Sequence, residues 1–383
     1  MLFLGGTHQL FHLAPVAAAL SRIAPQMRIT CIASDPHVAD LIGDVGRRMG
    51  AALLRIETVE APAWWRRFAQ WIGRPKLSKL ALLLRLAPRL ARARTIVTPE
   101  RTSALLRLWH LTRARMIHFR HGAGDRAPSS ESRLKAFDLI VVPGEKDVVR
   151  AVDQHHIDPA RLRSTGYVKL DYLRHLDSAR PRLFANARPT ILYNPHFDLD
   201  RSSWGAAPAV VQHILSDGRY NLILAPHIRV AETLDEAAIA QWHALADPDR
   251  LIVDFGSDRL IDMSYVRAAD IYLGDMSSQL YEFLAEPRPA AFVNAHRAAW
   301  RDDPRYAGWH LGEVAETPDG LIDVIDAAVA GHPAKIAEQK AAVARAFGEI
   351  DGACERAARI LVEVLEEDVH AGAAAIAAPA PAP

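Results

Sequence analysis

The stretch ADIYLGDMSSQLYEFL, residues 269–284, contains a complete strand–turn–helix unit. Its first part, Ile271–Leu273, is a short run of β-rich apolar residues, which predicts a buried strand. Gly274 begins the turn, and Ser277 and Ser278 open a helical pattern. Because a buried strand that leads directly into a helix is the repeating unit of parallel sheets, this stretch predicts an α/β fold.

The same alternation recurs along the chain. The other predicted strands are Leu2–Leu4, Arg28–Ala33, Met116–Arg120, Leu139–Val142, Thr190–Tyr193, Leu222–Ala225, Leu251–Val253 and Ala290–Val293. The predicted helices include Ala14–Ile23, Glu145–Gln154, Ala207–Ser216 and Tyr281–Leu284. Short strands separated by helices favour parallel sheets built from βαβ units.

A polar, Pro-containing stretch, SARPRLFANARP, divides this pattern, which starts again near Pro189. We therefore expect two similar α/β domains. The predicted parts are a first domain over residues 1–180, a linker over 178–188, a second domain over 187–368 that ends in a helical segment from Ala334 to Asp368, and an Ala- and Pro-rich tail over 370–383. The low complexity of the tail predicts disorder.

Composition excludes several classes of protein. The 383 residues are 50% apolar and 24% charged, and 46 Lys and Arg balance 45 Asp and Glu. Two cysteines cannot build a disulfide framework or a tetrahedral zinc site. The chain has no apolar run of about 20 residues and no basic region before its first apolar residues, so we expect no membrane span and no secretory signal. These features predict a cytoplasmic protein.

One segment, residues 61–124, departs from this balance. It carries fourteen Lys and Arg residues and a single acid, Glu100. The residues expected to contact a membrane are Trp64, Trp65, Arg66, Arg67 and Trp71. A basic, Trp-bearing amphipathic helix is attracted to anionic lipid, so the segment predicts peripheral membrane attachment. The alternative is a solvated helical face whose leucines are core. We expect no nucleic-acid partner, because no recognised binding motif accompanies the charge.

Two turns of the first half have features of a ligand site. Gly6, Thr7 and His8 follow the first strand, where a small residue lets the backbone approach a ligand closely. An ordinary strand–helix turn is the alternative. His121 follows a later strand on a glycine-containing loop, which suits a general base, although a lone histidine is more often structural.

The second half carries polar residues at the ends of its strands. His196 and His227 each follow a proline, which restricts the backbone and fixes the direction of the ring. Ser277 and Ser278 at a helix start could hold a phosphate, although Ser277 could instead be a plain N-cap. Glu282 could accept hydrogen bonds from ribose, or it could be a solvated helix residue.

Five segments resemble one family. They are HGAGDR (121–126), TGYVKLD (165–171), ILYNPHF (191–197), LAPHIR (224–229) and the stretch 269–284. Together they resemble the CDP-glycerol glycerophosphotransferases of teichoic-acid type, which carry an aspartate, a variable residue, two serines and then an acidic residue. Asp275, Ser277, Ser278 and Glu282 match that pattern. The resemblance implies a GT-B fold, with two Rossmann-like domains facing a cleft and the nucleotide mainly on the second.

The resemblance also implies a reaction. An acceptor hydroxyl attacks the phosphorus that bears glycerol, and CMP leaves. His121 would be the base, and His227 would meet the diphosphate or leaving group with Arg229 offsetting charge. The other implied residues are Gly166, Asn194, His196, Asp275, Ser277, Ser278 and Glu282 on the nucleotide side and Gly6, Thr7, His8, Asp125 and Arg126 on the acceptor side. The implied partners are a CDP-linked donor and a lipid-linked or cell-envelope acceptor at the inner face of the plasma membrane.

No tightly bound cofactor and no metal site are expected, and a need for Mg²⁺ stays open. A GT-B glycosyltransferase that uses a nucleotide sugar, a sugar-nucleotide 2-epimerase-like isomerase and a non-catalytic polymer- or membrane-binding module remain as alternatives. The sequence has no Walker loop, so an ATP-dependent kinase is not expected.

Overall fold

The computed structural model of the chain describes residues 1–51, 53–71, 77–122, 124–125, 132–176, 179–198 and 200–377. It divides into two compact units. Unit 1 consists of Met1–His121, Ser130–Asp177 and Phe347–Pro383, and unit 2 consists of Gly122–Ser129 and Ser178–Ala346. In the described ranges, none of the helices combines the length and the apolar character that a membrane span requires.

Unit 1 is built on parallel strands. They are β1 (Leu2–Phe3), β2 (Thr30–Ala33), β3 (Arg55–Thr58), β4 (Thr95–Thr98), β5 (Arg115–Phe119), β6 (Leu139–Val142) and β7 (Leu162–Ser164). The ladders run in the orders β1-β2-β3 and β4-β5-β6-β7, and β1 lies beside β4. The helices are α1 (Ala14–Ile23), α2 (Pro36–Arg48), α3 (Ala63–Trp71), α4 (Leu77–Leu90), α5 (Leu105–Leu108), α6 (Glu145–Asp153) and α7 (Val168–Tyr172).

Unit 2 contains one parallel sheet. Its strands are β8 (Thr190–Asn194), β9 (Asn221–Leu224), β10 (Leu251–Val253), β11 (Ile271–Gly274), β12 (Ala290–Val293) and β13 (Glu313–Ala315), in the order β10-β9-β8-β11-β12-β13. The helices are α8 (Ala207–Asp217), α9 (Glu236–His243), α10 (Ser264–Ala268), α11 (Gln279–Phe283) and α12 (Leu321–Phe347). The strand order reverses between β8 and β11, which makes their carboxyl ends the expected ligand site.

The predicted strands all form, with ends within two residues of those expected. The sequence patterns missed β3, β4, β7 and β13. Three of these, β3, β7 and β13, are sheet edges, where polar residues such as Arg55 and Arg163 stay exposed and break the apolar run that identifies a buried strand. The α/β class with parallel sheets is therefore confirmed.

The end of the chain differs from the expected arrangement. The single helical segment is two helices, because α12 ends at Phe347 and α13 (Ala353–Ala377) begins after Gly348 and Gly352, both at positive φ. Since α13 packs against α1 and α7, Phe347 and the helix that follows it group with unit 1, whereas the predicted second domain extended to residue 368. Residues 370–377 are helical rather than disordered, and 378–383 lie outside the described residues.

The TGYVKLD segment explains how α13 is held. The Asp171 carboxylate accepts hydrogen bonds from the backbone N–H groups of Gly352 (3.0 Å) and Cys354 (2.8 Å), and so caps the start of α13. Gly166 has a φ of 87°, and a Cβ atom there would overlap the backbone of Glu349. Gly166, which the resemblance assigned to the nucleotide side, therefore lies in unit 1 and packs against Glu349.

Replacing Asp171 with Ala should destabilise unit 1. The substitution leaves two helix N–H groups without partners in a buried place, which costs about 2 kcal/mol. Urea denaturation followed by circular dichroism measures this loss. Asp158→Ala is the control, because Asp158 caps only an exposed turn through Ala160 and should cost much less. Equal losses in the two variants would contradict the role given to Asp171.

Candidate functional site

The site in unit 1 lies where β1 of one ladder lies beside β4 of the other. The strands follow one another outward from this point in opposite directions, β1-β2-β3 on one side and β4-β5-β6-β7 on the other. The residues that follow β1, β4 and β5 therefore lie near one another at the carboxyl ends of the strands. After β1 comes Gly6, whose φ is 97°, and then a 3₁₀ helix, Thr7–His12, which carries His8. His121 follows β5. The structure thus brings the predicted residues His8 and His121 together, with ring centroids 6.0 Å apart.

The hydrogen bonds of His121 fix its tautomer. Nδ1 lies 2.9 Å from the carbonyl oxygen of Pro99, so this nitrogen carries the proton and donates. Nε2 lies 3.2 Å from the amide nitrogen of Gln9, which donates to it. The ring therefore presents an unprotonated Nε2, which is the state that a general base requires.

The surroundings of His121 keep the ring neutral. Burial lowers its pKa well below the usual value, and the neighbouring His12, His8, His118 and Arg101 lower it further. Burial likewise lowers the pKa of His12. A neutral ring at pH 7 retains the lone pair, so proton uptake from a substrate hydroxyl needs no prior loss of a proton.

Three polar residues of this site were missed by the sequence patterns. Gln9 contacts His121, and Lys79 donates to the buried carboxylate of Glu100 at 2.8 Å and to the carbonyl oxygen of Gly5 at 3.3 Å. A Cβ atom at Gly5 would overlap both Gln9 Oε1 and Glu100 Oε1. One signal could have identified the pair, because Glu100 is the only acid in the basic segment 61–124.

In unit 2, Asp275 joins the loops that follow β8 and β11. Its carboxylate accepts from the backbone N–H groups of His196 (3.0 Å), Ser203 (2.7 Å) and Met276 (2.6 Å). The hydroxyls of Ser202 and Ser203 donate to the same carboxylate. Both carboxylate oxygens therefore accept hydrogen bonds from the chain itself. Asp275 fixes the positions of the two loops rather than binding a ligand directly.

The two serines after Asp275 differ in their surroundings. Ser277 is buried; its hydroxyl donates to Asn194 Oδ1 at 2.7 Å and accepts from the N–H of Gln279 at 3.3 Å. It thus links strand ends and partly caps α11. Ser278 makes no side-chain capping bond and lies beside Gly122 and Gly124. The helix α11 has only five residues, so its dipole adds little to anion binding.

Glu282 lies one turn further along α11. Its side chain is 5% exposed, so it is a buried residue and the solvated alternative was wrong.

His196 and His227 form a half-buried cluster with Phe197 and Arg229, which we call the imidazole cluster. The ring centroids of His196 and His227 lie 5.8 Å apart, and the Arg229 guanidinium stacks 4.0 Å from the Phe197 centroid. In each histidine Nδ1 accepts a backbone N–H, from Asp198 at 3.1 Å or from Arg229 at 3.2 Å. The neutral ring then carries its proton on Nε2, opposite to His121.

Asp125, which the resemblance assigned to the acceptor side, lies in unit 2. Its carboxylate accepts from the Tyr281 hydroxyl at 2.7 Å and from the Gly308 N–H at 2.8 Å. These bonds hold the segment that contains Gly122 and Gly124 next to Ser278. Arg126 lies outside the described residues.

The helix α3 presents aromatic rings to solvent. Trp64, Phe68 and Trp71 are 67%, 43% and 82% exposed, and their spacing places them on one helix face. Arg67 is exposed as well. Trp65 differs from the prediction, because it is half-buried and its indole N–H donates to the Leu77 carbonyl oxygen at 3.1 Å. The side chain of Arg66 lies outside the described residues.

At least five cations of the basic segment pair with acids. The pairs are Lys79–Glu100, Arg89–Glu57, Arg107–Asp138, Arg115–Glu367 and Arg120–Asp147. The excess of positive charge on this part of the surface is therefore smaller than the sequence count suggests.

Unit 1 should lose stability as the pH falls below about 6.5. Burial lowers the pKa of His118 to about 3, so between these values only the unfolded chain takes up a proton at this residue. Each such group removes about 1.4 kcal/mol per pH unit. Urea titrations between pH 7.5 and 5 should show a shallower pH dependence for His118→Phe, whereas the exposed His175→Phe should match the wild type. An unchanged slope in His118→Phe would refute this assignment.

The comparisons with known proteins identify the fold. No protein-family model and no curated protein matches the sequence. A candidate UDP-N-acetylglucosamine 2-epimerase from Listeria monocytogenes is 14% identical and matches with a TM-score of 0.65 over 96% of this chain and 95% of that one. MnaA of S. aureus, determined with UDP, is 11% identical with a TM-score of 0.64 over 95% and 96%. A variant of the wall teichoic acid polymerase TagF is 14% identical with a TM-score of 0.57 over 94% and 85%. The likeness shows that the chain shares their GT-B fold.

Proposed function

We propose that the protein is a transferase that moves glycerophosphate, or a related phospho-alcohol, from a CDP-linked donor to a hydroxyl of a lipid-linked or cell-envelope acceptor. The observation that carries this proposal is the opposite tautomeric state of the histidines. His121 offers a lone pair at Nε2, whereas His196 and His227 offer an Nε2–H donor. Phosphoryl transfer to a hydroxyl needs both, a proton acceptor for the nucleophile and donors for the phosphates.

Unit 1 would supply the base. The acceptor hydroxyl attacks the phosphorus that bears glycerol, its proton goes to His121 Nε2, and the bond from this phosphorus to the bridging oxygen breaks. CMP leaves with the electron pair. The neutral state of His121, kept by burial, makes the ring ready for this proton at pH 7. Gly6, Thr7 and His8 would border the acceptor.

Unit 2 would hold the donor. The imidazole cluster offers two Nε2–H groups and the Arg229 guanidinium within one half-buried patch, which suits the charge that develops on the leaving CMP. Ser278, with no capping bond, would donate to a phosphate oxygen. Asp275, Asn194 and Ser277 would fix the loops that carry these groups, because their own hydrogen bonds are made within the chain.

A sugar-nucleotide 2-epimerase-like isomerase is the second candidate. It is favoured by one observation, the match over 95% or more of both chains with the Listeria monocytogenes protein and with MnaA. Such an enzyme would bind UDP rather than CDP and would need no hydroxyl acceptor. A glycosyltransferase would bind a nucleotide sugar that carries UDP or GDP. The identity of the nucleotide therefore separates the CDP-linked transferase from both alternatives.

Thermal shift against CDP, CMP, UDP, GDP and ADP at matched concentrations tests the proposal. A nucleotide at about 100 times its Kd stabilises the folded state by about 2.7 kcal/mol, which raises Tm by a few degrees. We expect a CDP-selective shift. Ser278→Ala should keep the Tm of the free protein and lose most of the shift. Ser277→Ala should lower the Tm of the free protein, since it leaves Asn194 Oδ1 without its donor.

The other outcomes contradict the proposal. A shift selective for UDP or GDP favours the epimerase or a glycosyltransferase. No shift with any nucleotide favours a module that binds a polymer or membrane without catalysis. A CDP shift that Ser278→Ala leaves intact would refute the role given to this hydroxyl.

We also propose that α3 attaches the protein to an anionic membrane, at the inner face of the plasma membrane where a lipid-linked acceptor would be found. Trp64, Phe68 and Trp71 are exposed, whereas the Trp65 indole donates a hydrogen bond to the Leu77 carbonyl oxygen. Trp is well suited to the membrane interface, and Arg67 on the same face would contact anionic headgroups. Because at least five cations of the basic segment pair with acids, we expect the aromatic face to contribute more to membrane binding than the net charge does.

Cosedimentation with phosphatidylglycerol vesicles should detect this attachment at low salt and show weaker binding at high salt. Trp64→Ala/Trp71→Ala should reduce binding about tenfold, because the two largest exposed rings are lost. Trp109→Ala removes another exposed indole of unit 1 and should bind as the wild type does. Equal binding to phosphatidylcholine vesicles would refute the electrostatic part. Dimer formation that depends on the same two rings, without vesicle binding, would assign the face to a protein interface.

A further inference from the structure

The side chain of Gln9 faces two groups with opposite requirements. Its amide nitrogen donates to His121 Nε2 at 3.2 Å, whereas its oxygen lies with Glu100 Oε1 in the space that a side chain at Gly5 would fill. Gln9 is 8% exposed, and within the described part of the chain its buried Oε1 has no hydrogen-bond partner. An unpaired buried acceptor beside a carboxylate oxygen is unfavourable, so this arrangement needs a compensating reason.

The reason lies in the neutral state of His121. As long as Nε2 carries no proton, only a donor can face it, and the amide must direct its nitrogen to the ring. Once Nε2 takes up a proton, the same amide would place N–H against N–H. A turn of the amide group by 180° exchanges oxygen and nitrogen in almost the same volume and therefore needs no new space.

We propose that the carboxamide of Gln9 turns when His121 takes up a proton, so that Gln9 Oε1 accepts from His121 Nε2–H and Gln9 Nε2 donates to Glu100. In the turned state both ends of the amide have a partner, and the Pro99 carbonyl oxygen keeps its bond from Nδ1. The imidazolium is then stabilised by an acceptor that the neutral ring does not meet. When the proton returns to solvent, the amide turns back.

Other charged and titratable groups also surround the ring. They are His8 and His12 on the 3₁₀ helix after β1, His118 on β5, Arg101 after β4, and Glu100 with its partner Lys79 from α4. The histidines and Arg101 oppose a positive charge on His121. Gln9 hydrogen-bonds Nε2 directly, and its amide can present either a donor or an acceptor there, which makes it a positioning residue for the base. This inference rests on the proposed function only for its catalytic use.

Nuclear magnetic resonance of the full chain tests the coupling without substrate. With ¹⁵N-labelled His and Gln side chains, the Gln9 amide resonances should titrate with the same midpoint as the His121 ring, and His121→Phe should abolish this titration. Gln9→Leu removes the acceptor and should move the His121 midpoint down by about one pH unit. Gln9→Glu provides a permanent acceptor and should move it up.

Independent behaviour of the two side chains would overturn the proposal. A Gln9 amide that does not follow the His121 titration, or equal midpoints in Gln9→Leu and the wild type, contradicts the coupled turn. The midpoint of the acidic limb of kcat/KM with the CDP-linked donor should follow the same order across the two variants. If the resonances titrate together but no CDP-dependent activity exists, the coupled turn stands and the proposed function fails.

Discussion

The carboxylate of Asp275 is the constraint on which the geometry of unit 2 depends. It collects N–H and O–H donors from the loops after β8 and β11, the two strands at which the order of the sheet reverses. Burial of this carboxylate is tolerated because it accepts several hydrogen bonds from the backbone and from serine hydroxyls. The loops that carry His196 and Ser278 are therefore fixed before any ligand arrives, which reduces the ordering that binding would cost.

In unit 1, neutral groups rather than a carboxylate fix the state of the central histidine. The Pro99 carbonyl oxygen and the Gln9 amide determine which nitrogen of His121 carries its proton, and Lys79 pairs with the buried carboxylate of Glu100. The parallel sheets of the two units thus present imidazoles in opposite tautomeric states. One or two hydrogen bonds determine which nitrogen of each ring carries the proton, so residue type alone does not define the chemistry of a histidine.

Much of the fold could be predicted because the central strands are continuous apolar runs followed by turns, as in the stretch 269–284. The same rule located His121, His196 and His227, since each follows a strand. It could not find Gln9, Lys79 and Glu100, which come from separate elements and share no spacing. Nor could it assign α13, because a helix shows an apolar face in its sequence but not the partner that covers that face.

The position of α13 has a consequence for synthesis of the chain. Unit 1 is assembled from three separate parts of the sequence, and the last begins at Phe347. During translation, the faces of α1 and α7 that α13 covers stay uncovered until the whole of unit 2 has been synthesised, because α13 follows unit 2 in the sequence. The amino-terminal unit therefore completes its core last, and a fragment that stops at the linker would expose those apolar faces to water and to aggregation.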